Sequence, residues 1–546
     1  MADNSELLNE PVTAPHIWVA RFFNWLEAQS RFGMPVFAFL LGVLLSRAFA
    51  PTNLFPAVFI VIPFALLLLG RARDGKAAFG YGWWVGFGLF SLGLNWIGYS
   101  FTQQDNVPAI LAPFAVFALT ALLSIYTGVS FWVTWRLQVT GIARVFVFAA
   151  SWTLFEVARG FWFTGFPWHL VGAMWAEWLP VAQTVYWLSV YGLSFLTVFA
   201  AGSLVLFLDE KPPLKAVGIA IAGMLLFPVL AVGGYQRLSN NETYYNLGVS
   251  LRLVQANISQ NEKWRSYLIN DHFDNHMQLS RSQSEKGKAE GIKLLIWPET
   301  AVQRETFDRD GSLLRWRMSR LLDFGSYAIT GAPRFTEEGG ELNYYNSLIA
   351  FNAKGSLYAR YDKNHLVPFG EYLPLEGVLK AMGLSQLTKM MGGSAWSAGE
   401  TLQTVKLPGV PSFSPLICYE GIFPGQVILP ENRPEWMLII SNDAWFGMTD
   451  GPYQHLALSR LRAIEEGLPL VRSTSTGVSA VIDAHGRTVS SLGLGRRGTV
   501  ESPLPKAIEE PPFPTGLRIL AFVFLSAGIL AFYLLQVMRR ERLIKE

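Results

Sequence analysis

The sequence predicts a protein of two parts, a polytopic α-helical membrane region of about eight spans and an α/β domain. The composition is the first observation, because 51% of the 546 residues are hydrophobic and only 16% are charged, whereas soluble proteins carry about 25% charged residues. The second is a set of long apolar runs, in a chain whose mean hydropathy is +0.28. The third is the segment 235–516, where apolar runs become short and β-rich.

Each long apolar run is a candidate span, because crossing the hydrocarbon core takes about 20 residues, with a range of roughly 17–25. The second run is at the lower limit and contains Pro63, so it could instead form a buried or re-entrant hairpin with the first run. The runs cover residues 33–49, 54–70, 77–98, 108–134, 144–163, 181–208, 216–234 and 517–538.

The charges between the runs predict the orientation. Lys and Arg accumulate in alternate connections, such as the one with Arg71 and Lys76, whereas the opposite connections contain only Arg47 and Arg159. Positively charged connections stay in the cytoplasm, so both termini are expected there and 235–516 outside. The predicted segments are 1–32 (cytoplasmic), 33–234 (transmembrane, about seven spans), 235–516 (extracytoplasmic domain), 517–538 (C-terminal transmembrane helix) and 539–546 (cytoplasmic tail).

The segment 235–516 is predicted to be an α/β sandwich. Stretches such as "LLIWPET" and "SPLICYEG" are short apolar runs bounded by turn signals, a pattern typical of strands buried on both faces. Charged, helix-compatible stretches at 262–290 and 454–466 lie between strands, so helices are expected to cover the sheets. The Pro-rich stretch 502–516 is expected to link the domain back to the membrane.

Composition also excludes several classes of function. The net charge is only +3 and no basic run is long, so a nucleic acid partner is not expected. Cys418 is the single cysteine, which excludes a disulfide framework within the chain and a cysteine-based zinc site. Neither His365 nor His455 sits in a metal-ligand spacing, so no metal is expected.

Three reactive side chains each follow a predicted strand: Glu299, Lys363 and Cys418. Each alone is ambiguous, because a lone buried cysteine is more often a core residue and a lone Lys or Glu is usually a solvated charge. Together they make chemical sense, since catalytic groups of α/β folds gather at strand ends. Glu299 would take the thiol proton, and Lys363 would stabilise the thiolate and a developing oxyanion.

The order of "WPE", "YDK" and "CYE", together with "FGEYLP", "CYEG" and the seven upstream apolar runs, resembles the apolipoprotein N-acyltransferase family of the nitrilase superfamily. The resemblance implies an αββα sandwich. It implies Glu299 as base, Lys363 as oxyanion partner and Cys418 as nucleophile. The supporting residues that it implies are Glu371, Glu420 and Tyr419.

The same resemblance implies a reaction in two steps. Cys418 would take an acyl chain from a phospholipid, expected to be phosphatidylethanolamine, as a thioester. The N-terminal amine of diacylglyceryl-cysteine on an apolipoprotein would then attack that thioester. No nucleotide, metal or other cofactor is expected, because a thioester converts to an amide downhill. The expected location is the bacterial inner membrane, with the catalytic domain in the periplasm in contact with membrane lipids.

Several other residues have two interpretations. Trp264 matches a family tryptophan near the active site, or it is a packing residue at a strand-to-helix junction. Asn442 and Trp445 in "SNDAWFG" are expected to line the substrate pocket, or they belong to a β-turn with buried aromatics. His365 and His455 are expected to be structural, because a glutamate base already fills the role that either would take.

The stretch 387–399 contains Met390, Met391 and Trp396 with a glycine pair. We expect an apolar lid that closes over lipid, with Trp396 in contact with the substrate, and a disordered insertion is the alternative. Glu156 and Arg159 lie at the outer end of the fifth run. Intramembrane charges are candidates for function, but an i,i+3 ion pair is the favoured interpretation.

Two other classes of function compete. A membrane-anchored nitrilase-type amidohydrolase would let water resolve the acyl-enzyme, but one span would anchor it and seven precede the domain. A non-catalytic membrane scaffold with a relic nitrilase fold would not need Glu299, Lys363 and Cys418 all intact.

Overall fold

The computed structural model describes residues 16–103, 108–209, 211–281, 292–338, 341–372 and 396–545. The chain divides into two compact units. The first comprises Met1–Asn95, Pro113–Ser239 and Leu517–Glu546, and the second Trp96–Ala112 and Asn240–Gly516. Long helices form the first unit and two sheets lie in the second. The prediction of a helical membrane part joined to an α/β sandwich is thus confirmed.

Close packing of glycine-containing helices characterises the first unit. A Cβ atom added at Gly42 would lie 2.0 Å from the carbonyl oxygen of Val85, and one at Gly88 would lie 2.0 Å from that of Phe39. Such contacts let the two helices approach backbone to backbone, as small residues do in membrane proteins. The helices are Ile17–Gln29, Gly33–Ser46, Val58–Gly70, Gly75–Gly93, Ala112–Arg136, Gly141–Phe161, Leu179–Ala182, Val185–Ser203, Leu214–Ser239 and Thr515–Lys545.

Within the described residues, five helical segments are long and apolar enough to cross a membrane, or six if the pair Ile17–Gln29 and Gly33–Ser46, bent by 116°, counts as one span. The five coincide with five of the eight predicted runs. The other three runs form helices of 14, 13 and 19 residues outside that set. The number of eight spans therefore stays a prediction. The five segments are Ala109–Arg136, Gly141–Thr164, Val185–Leu208, Leu214–Ser239 and Thr515–Arg540.

Two six-stranded sheets build the second unit, in the orders β12-β1-β2-β3-β4-β5 and β11-β10-β9-β8-β7-β6. The strands are β1 Tyr245–Gln255, β2 Ile292–Ile296, β3 Tyr327–Glu338, β4 Glu341–Asn352, β5 Leu357–Asp362, β6 Val405–Leu407, β7 Val410–Ile417, β8 Trp436–Ser441, β9 Leu470–Thr474, β10 Ser479–Ile482, β11 Thr488–Leu492 and β12 Gly498–Pro505. The helices that the described residues of this unit form are Ile97–Thr102, Gln260–Lys263, Ile269–Arg281, Leu313–Ser319 and Gly451–Glu466.

The core of the second unit lies between the two sheets. Ile296 and Ile329 of the first sheet share one buried cluster with Ile417, Leu438 and Val471 of the second. Helix Ile269–Arg281 covers the outer face of the first sheet and helix Gly451–Glu466 that of the second. Strands buried on both faces explain the continuous apolar runs of the sequence.

The parallel part of each sheet prepares the candidate site. Strands β1, β2 and β3 run parallel in the first sheet, and β7, β8 and β9 in the second. Glu299 follows the end of β2, Cys418 follows β7 and Asn442 follows β8. Parallel strands present their carboxyl ends at one edge of a sheet, where loops carry function on a rigid frame.

Candidate active site

Cys418 lies in a sharp turn at the end of β7. It is the first residue of the 3-10 turn Cys418–Ile422 and has a φ of 53°. A left-handed conformation costs a non-glycine residue about 1–2 kcal/mol, so surrounding contacts must hold it. The carbonyl oxygen of Cys418 lies 3.2 Å from Nε2 of His455, and the N–H of Ile417 donates to Oε2 of Glu420 at 2.7 Å.

Glu299 is buried, with 6% of its surface exposed. Its two carboxylate oxygens accept hydrogen bonds from different elements. Oε1 accepts from Nδ2 of Asn346 on β4 at 2.7 Å, and Oε2 from the main-chain N–H of Asn442 at 2.6 Å. One donor on each oxygen fixes the carboxylate in a single orientation.

Lys363 follows β5 and is 1% exposed. Its Nζ donates to Oε1 of Glu371 at 2.8 Å, and Oε2 of Glu371 accepts from the N–H of Val367 at 2.8 Å. Burial alone would lower the pKa of Lys363, but the carboxylates of Glu371 and Glu299 outweigh it and raise that pKa above its ordinary value. Lys363 is therefore a permanent buried ammonium.

The thiol of Cys418 is protonated at rest. Burial raises the pKa of Cys418 to about 12, the negative charge of Glu299 adds to the shift, and the ammonium of Lys363 opposes it. The structure thus brings Glu299, Lys363 and Cys418 into one electrostatic environment. A thiol that ionises so reluctantly needs a base at the moment of attack.

Glu420 ties the turn that carries Cys418 to the loop that carries Lys363. Its Oε1 accepts from Oη of Tyr361 at 2.7 Å and from the N–H groups of Asn364 and His365 at 2.8 and 3.0 Å. Its Oε2 accepts from Ile417. Burial raises the pKa of Glu420, and these hydrogen bonds oppose that shift. We interpret Glu420 as a positioning residue.

Tyr419 follows the nucleophile directly and is 7% exposed. Its ring centroid lies 4.9 Å from that of Phe423 and 5.6 Å from that of His365, while His365 stacks on Phe423 at 4.1 Å. The three rings support the Cys418 turn by packing. This contact agrees with the expectation that His365 is structural.

Sequence reasoning missed a buried network behind Cys418. Arg472 Nη2 donates to Oδ2 of Asp443 at 2.6 Å and lies 3.1 Å from Nδ1 of His455, while Ser441 Oγ donates to Oδ1 of Asp443 at 2.6 Å. Arg472 holds the pKa of Asp443 well below its usual range, although burial opposes this, and burial and Arg472 both lower the pKa of His455. His455 is therefore neutral at pH 7, and its predicted structural role stays a prediction.

Asn442 makes hydrogen bonds through both its main chain and its side chain. Besides its N–H bond to Glu299, its Nδ2 donates to Oε1 of Gln260 at 2.7 Å and its Oδ1 accepts from Ser475 Oγ at 2.6 Å. These contacts give Asn442 a place in holding the base. Its predicted contact with substrate stays a prediction.

The three predicted tryptophans occupy different environments. Trp264 directly follows the helix Gln260–Lys263 and is 45% exposed. Trp396 is half-buried, and its main-chain N–H donates to the main-chain carbonyl oxygen of Glu371 at 3.1 Å. Trp445 is also half-buried, and its carbonyl oxygen accepts from Ser100 Oγ at 2.8 Å. Residues 387–395 of the predicted lid, with Met390 and Met391, lie outside the described residues.

Glu156 and Arg159 of the first unit are buried among main-chain partners. Glu156 Oε1 accepts from the N–H of Val171 at 2.8 Å, and Arg159 Nη1 donates to the carbonyl oxygen of Phe166 at 2.7 Å. Both side chains therefore fasten the segment 166–171 to the helix Gly141–Phe161. The predicted ion pair between them stays a prediction.

Comparisons with known proteins cover nearly the whole chain. The family model described as apolipoprotein N-acyltransferase N-terminal domain matches residues 41–203, and that described as carbon-nitrogen hydrolase matches residues 250–509. Among solved structures, a nitrilase-superfamily protein from Saccharomyces cerevisiae is 19% identical with a TM-score of 0.36, and the match covers 48% of this chain and 91% of that one.

The sequence identity to known relatives shows which family the chain belongs to. An apolipoprotein N-acyltransferase from Bradyrhizobium diazoefficiens is 40% identical, over 86% of this chain and 89% of the relative. One from Rhodopseudomonas palustris is 39% identical, over 87% and 90%, and one from Brucella melitensis is 33% identical, over 91% and 95%. The chain therefore belongs to the apolipoprotein N-acyltransferase family and is a membrane enzyme of lipoprotein maturation.

Proposed function

We propose that the enzyme moves a fatty acyl chain from a phospholipid to Cys418, and from Cys418 to the N-terminal amine of diacylglyceryl-cysteine on an apolipoprotein. One observation carries the proposal: a buried thiol that burial keeps protonated shares its environment with an oriented carboxylate and a permanent ammonium. A structural cysteine needs neither group.

In the first half-reaction, Glu299 accepts the thiol proton as Sγ of Cys418 attacks the ester carbonyl carbon of the phospholipid. The carbonyl oxygen becomes an oxyanion, and the ammonium of Lys363 stabilises it. The intermediate then breaks its C–O bond, and Glu299 returns the proton to the leaving alkoxide. The products are a lysophospholipid and a thioester at Cys418.

In the second half-reaction, the apolipoprotein amine attacks the thioester carbonyl carbon. Glu299 takes a proton from the attacking nitrogen, and Lys363 again faces the oxyanion. Breaking the C–S bond leaves an amide on the apolipoprotein. The departing sulfur takes the proton back from Glu299, so the enzyme returns to its starting state without a nucleotide or metal.

Glu371 keeps Lys363 suited to this role. A buried ammonium without a partner would lose its proton, but Glu371 lies 2.8 Å from Nζ and raises the pKa of Lys363. The oxyanion donor is therefore already charged and held in place before substrate arrives, which is the condition for strong transition-state stabilisation.

The identity of the donor and the compartment are part of the proposal. We take phosphatidylethanolamine as donor, the bacterial inner membrane as location and the periplasm as the site of the catalytic domain 235–516, with both termini cytoplasmic. The Lys and Arg distribution between the apolar runs supports this orientation. Trp264, which is 45% exposed, and Trp396 are the proposed contacts for the acyl chain.

The alternative is a nitrilase-type amidohydrolase, in which water attacks the thioester. The experiment is mass spectrometry of the purified full-length enzyme after incubation with phosphatidylethanolamine vesicles. We expect one fatty acyl mass on the peptide that contains Cys418 and none in Cys418→Ser, which has a far weaker nucleophile of similar volume. An acyl group elsewhere, or near-normal transfer by Cys418→Ser, would contradict the proposal.

A further inference from the structure

A second buried lysine, Lys263, contacts the proposed base. It ends the helix Gln260–Lys263, is 2% exposed, and its Nζ donates to the main-chain carbonyl oxygen of Glu299 at 3.0 Å. Buried lysines are rare and are usually paired with a carboxylate. Here the hydrogen-bonded partner is a neutral carbonyl group, so the position demands an explanation.

The hydrogen bond from Lys263 stabilises a stretch of main chain, at Glu299 and Thr300, that has a strained conformation. Thr300, directly after Glu299, has a φ of 46°, a conformation that costs a non-glycine residue energy. Lys263 donates a hydrogen bond to the carbonyl oxygen of the peptide that joins these two residues. Gln260 on the same helix accepts from Asn442, whose N–H in turn binds the Glu299 carboxylate. One short helix therefore fixes both the main chain and the side chain of Glu299.

The charge of Lys263 also acts on the reacting groups. Burial lowers the pKa of Lys263 to about 8, and the charge of Glu299, with that of Cys418 when its thiolate forms, opposes that shift. Lys363, by contrast, has its charge matched by the carboxylate of Glu371 at 2.8 Å. His276 on helix Ile269–Arg281 also faces Lys263, but burial lowers its pKa to about 4, so it is neutral at pH 7.

We propose that Lys263 is a positioning residue for acyl transfer: its ammonium fixes the main chain of Glu299 and stabilises both the resting carboxylate and the thiolate that forms at Cys418. This inference rests on the proposed thioester step and adds a residue to it. Lys363 faces the substrate oxyanion, whereas Lys263 acts through Glu299.

Two limbs of the pH profile follow. Without the Lys263 ammonium the carboxylate of Glu299 is less stabilised, so the acid limb of thioester formation should move to higher pH. The ammonium itself is present below about pH 8 and is lost above it. Thioester formation by the parent enzyme should therefore decline through an alkaline limb near that pH.

The test compares Lys263→Met, Lys263→Arg and the control Lys406→Met, which removes an exposed lysine from β6. The measurement is the rate of thioester formation at Cys418 against pH, with full-length enzyme and phosphatidylethanolamine vesicles. We expect Lys263→Met to be about ten- to a hundredfold slower at neutral pH, as for a lost hydrogen bond to a charged group, with its acid limb moved upward. Lys263→Arg should keep the acid limb and lose the alkaline one, since a guanidinium stays protonated.

If the pH profile of Lys263→Met has both limbs at the parental positions, whatever its absolute rate, the inference is overturned. A substitution that only disturbs the structure lowers the rate of thioester formation without moving the limbs. If that variant does not accumulate as folded protein, Lys263→Arg decides, and an alkaline limb at the parental position would overturn it. If neither the parent enzyme nor Lys406→Met forms a thioester at Cys418, the proposed function is refuted, and this inference with it.

Discussion

At the scale of single residues, proton transfer controls the proposed chemistry. The pKa of Cys418 is about 12 because burial and the nearby carboxylate of Glu299 both disfavour the thiolate. The thiol therefore stays protonated at rest, and its deprotonation depends on Glu299 when substrate is bound. The sequence predicted the three residue types and their positions after strands, but not the degree of burial that makes the base necessary.

Glu299→Gln tests the base. It keeps the shape and a carbonyl oxygen but cannot take a proton, so thioester formation at neutral pH should nearly vanish. Raising the pH from neutral to about 8, where the Lys263 ammonium is still present, should restore part of it, by about tenfold per pH unit, because hydroxide then supplies thiolate. Glu305→Gln, at an exposed carboxylate nearby, is the control. Residual activity that is flat with pH would show that Glu299 has another role.

Lys363→Met tests the oxyanion partner. It keeps the length of the side chain and removes the charge, so the rate of thioester formation should fall about 10²–10³-fold while phospholipid binding is largely spared. Lys363→Arg should also fail, because a planar guanidinium cannot replace a compact ammonium at a tight site. Lys354→Met, at an exposed lysine, should behave as the parent. Parental thioester formation by Lys363→Met would remove Lys363 from the mechanism.

At the scale of elements, the site depends on contacts between loops that are distant in sequence. Tyr361 and Glu420 are 59 residues apart, and Cys418 and His455 are 37 apart. Apolar runs predicted where strands end, and therefore which loops carry function. They could not predict the Asp443–Arg472–His455 network, because buried polar pairing depends on which strand ends become neighbours in the folded sheets.

Glu420→Gln tests whether Glu420 holds the Cys418 turn and the Lys363 loop together. The carboxylate accepts four hydrogen bonds in all, from Tyr361, Asn364, His365 and Ile417, and an amide nitrogen cannot accept. At least one donor would lose its partner, at a cost of about 1–3 kcal/mol. We expect a lower midpoint of thermal unfolding together with slower thioester formation.

Glu431→Gln, in the exposed turn Pro430–Asn432, is the control for that experiment. An unchanged unfolding midpoint in Glu420→Gln would argue against a positioning role for Glu420. Slow thioester formation without any loss of stability would instead assign it to the chemistry itself.

At the scale of the whole molecule, composition and the length of apolar runs predicted the division into a helical membrane part and an α/β sandwich. Three of the eight runs nevertheless form helices outside the set that is long and apolar enough to span. Two of these helices have only 14 and 13 residues, and the third has 19. Helices Gly33–Ser46 and Gly75–Gly93 also pack backbone to backbone at Gly42 and Gly88. A sequence does not distinguish apolar residues that face protein from those that face lipid.

Orientation is testable by single cysteines in a Cys418→Ser background, which contains no other thiol. The proposed orientation predicts that Glu242→Cys, at an exposed position before β1, reacts with a membrane-impermeant thiol reagent in spheroplasts. Arg73→Cys, also exposed, should react only after the membrane is permeabilised. The reverse pattern would overturn the proposed sidedness without affecting the proposed chemistry.

The transfer of one label in two steps tests the central claim most directly. Enzyme is incubated with phosphatidylethanolamine that carries a labelled acyl chain, freed of lipid, and then mixed with a diacylglyceryl-cysteine peptide. Our account predicts that the label appears first as a thioester on Cys418 and then, in equal amount, as an amide on the peptide N-terminus. Label that never reaches Cys418, or that leaves it only as free fatty acid, would contradict the account.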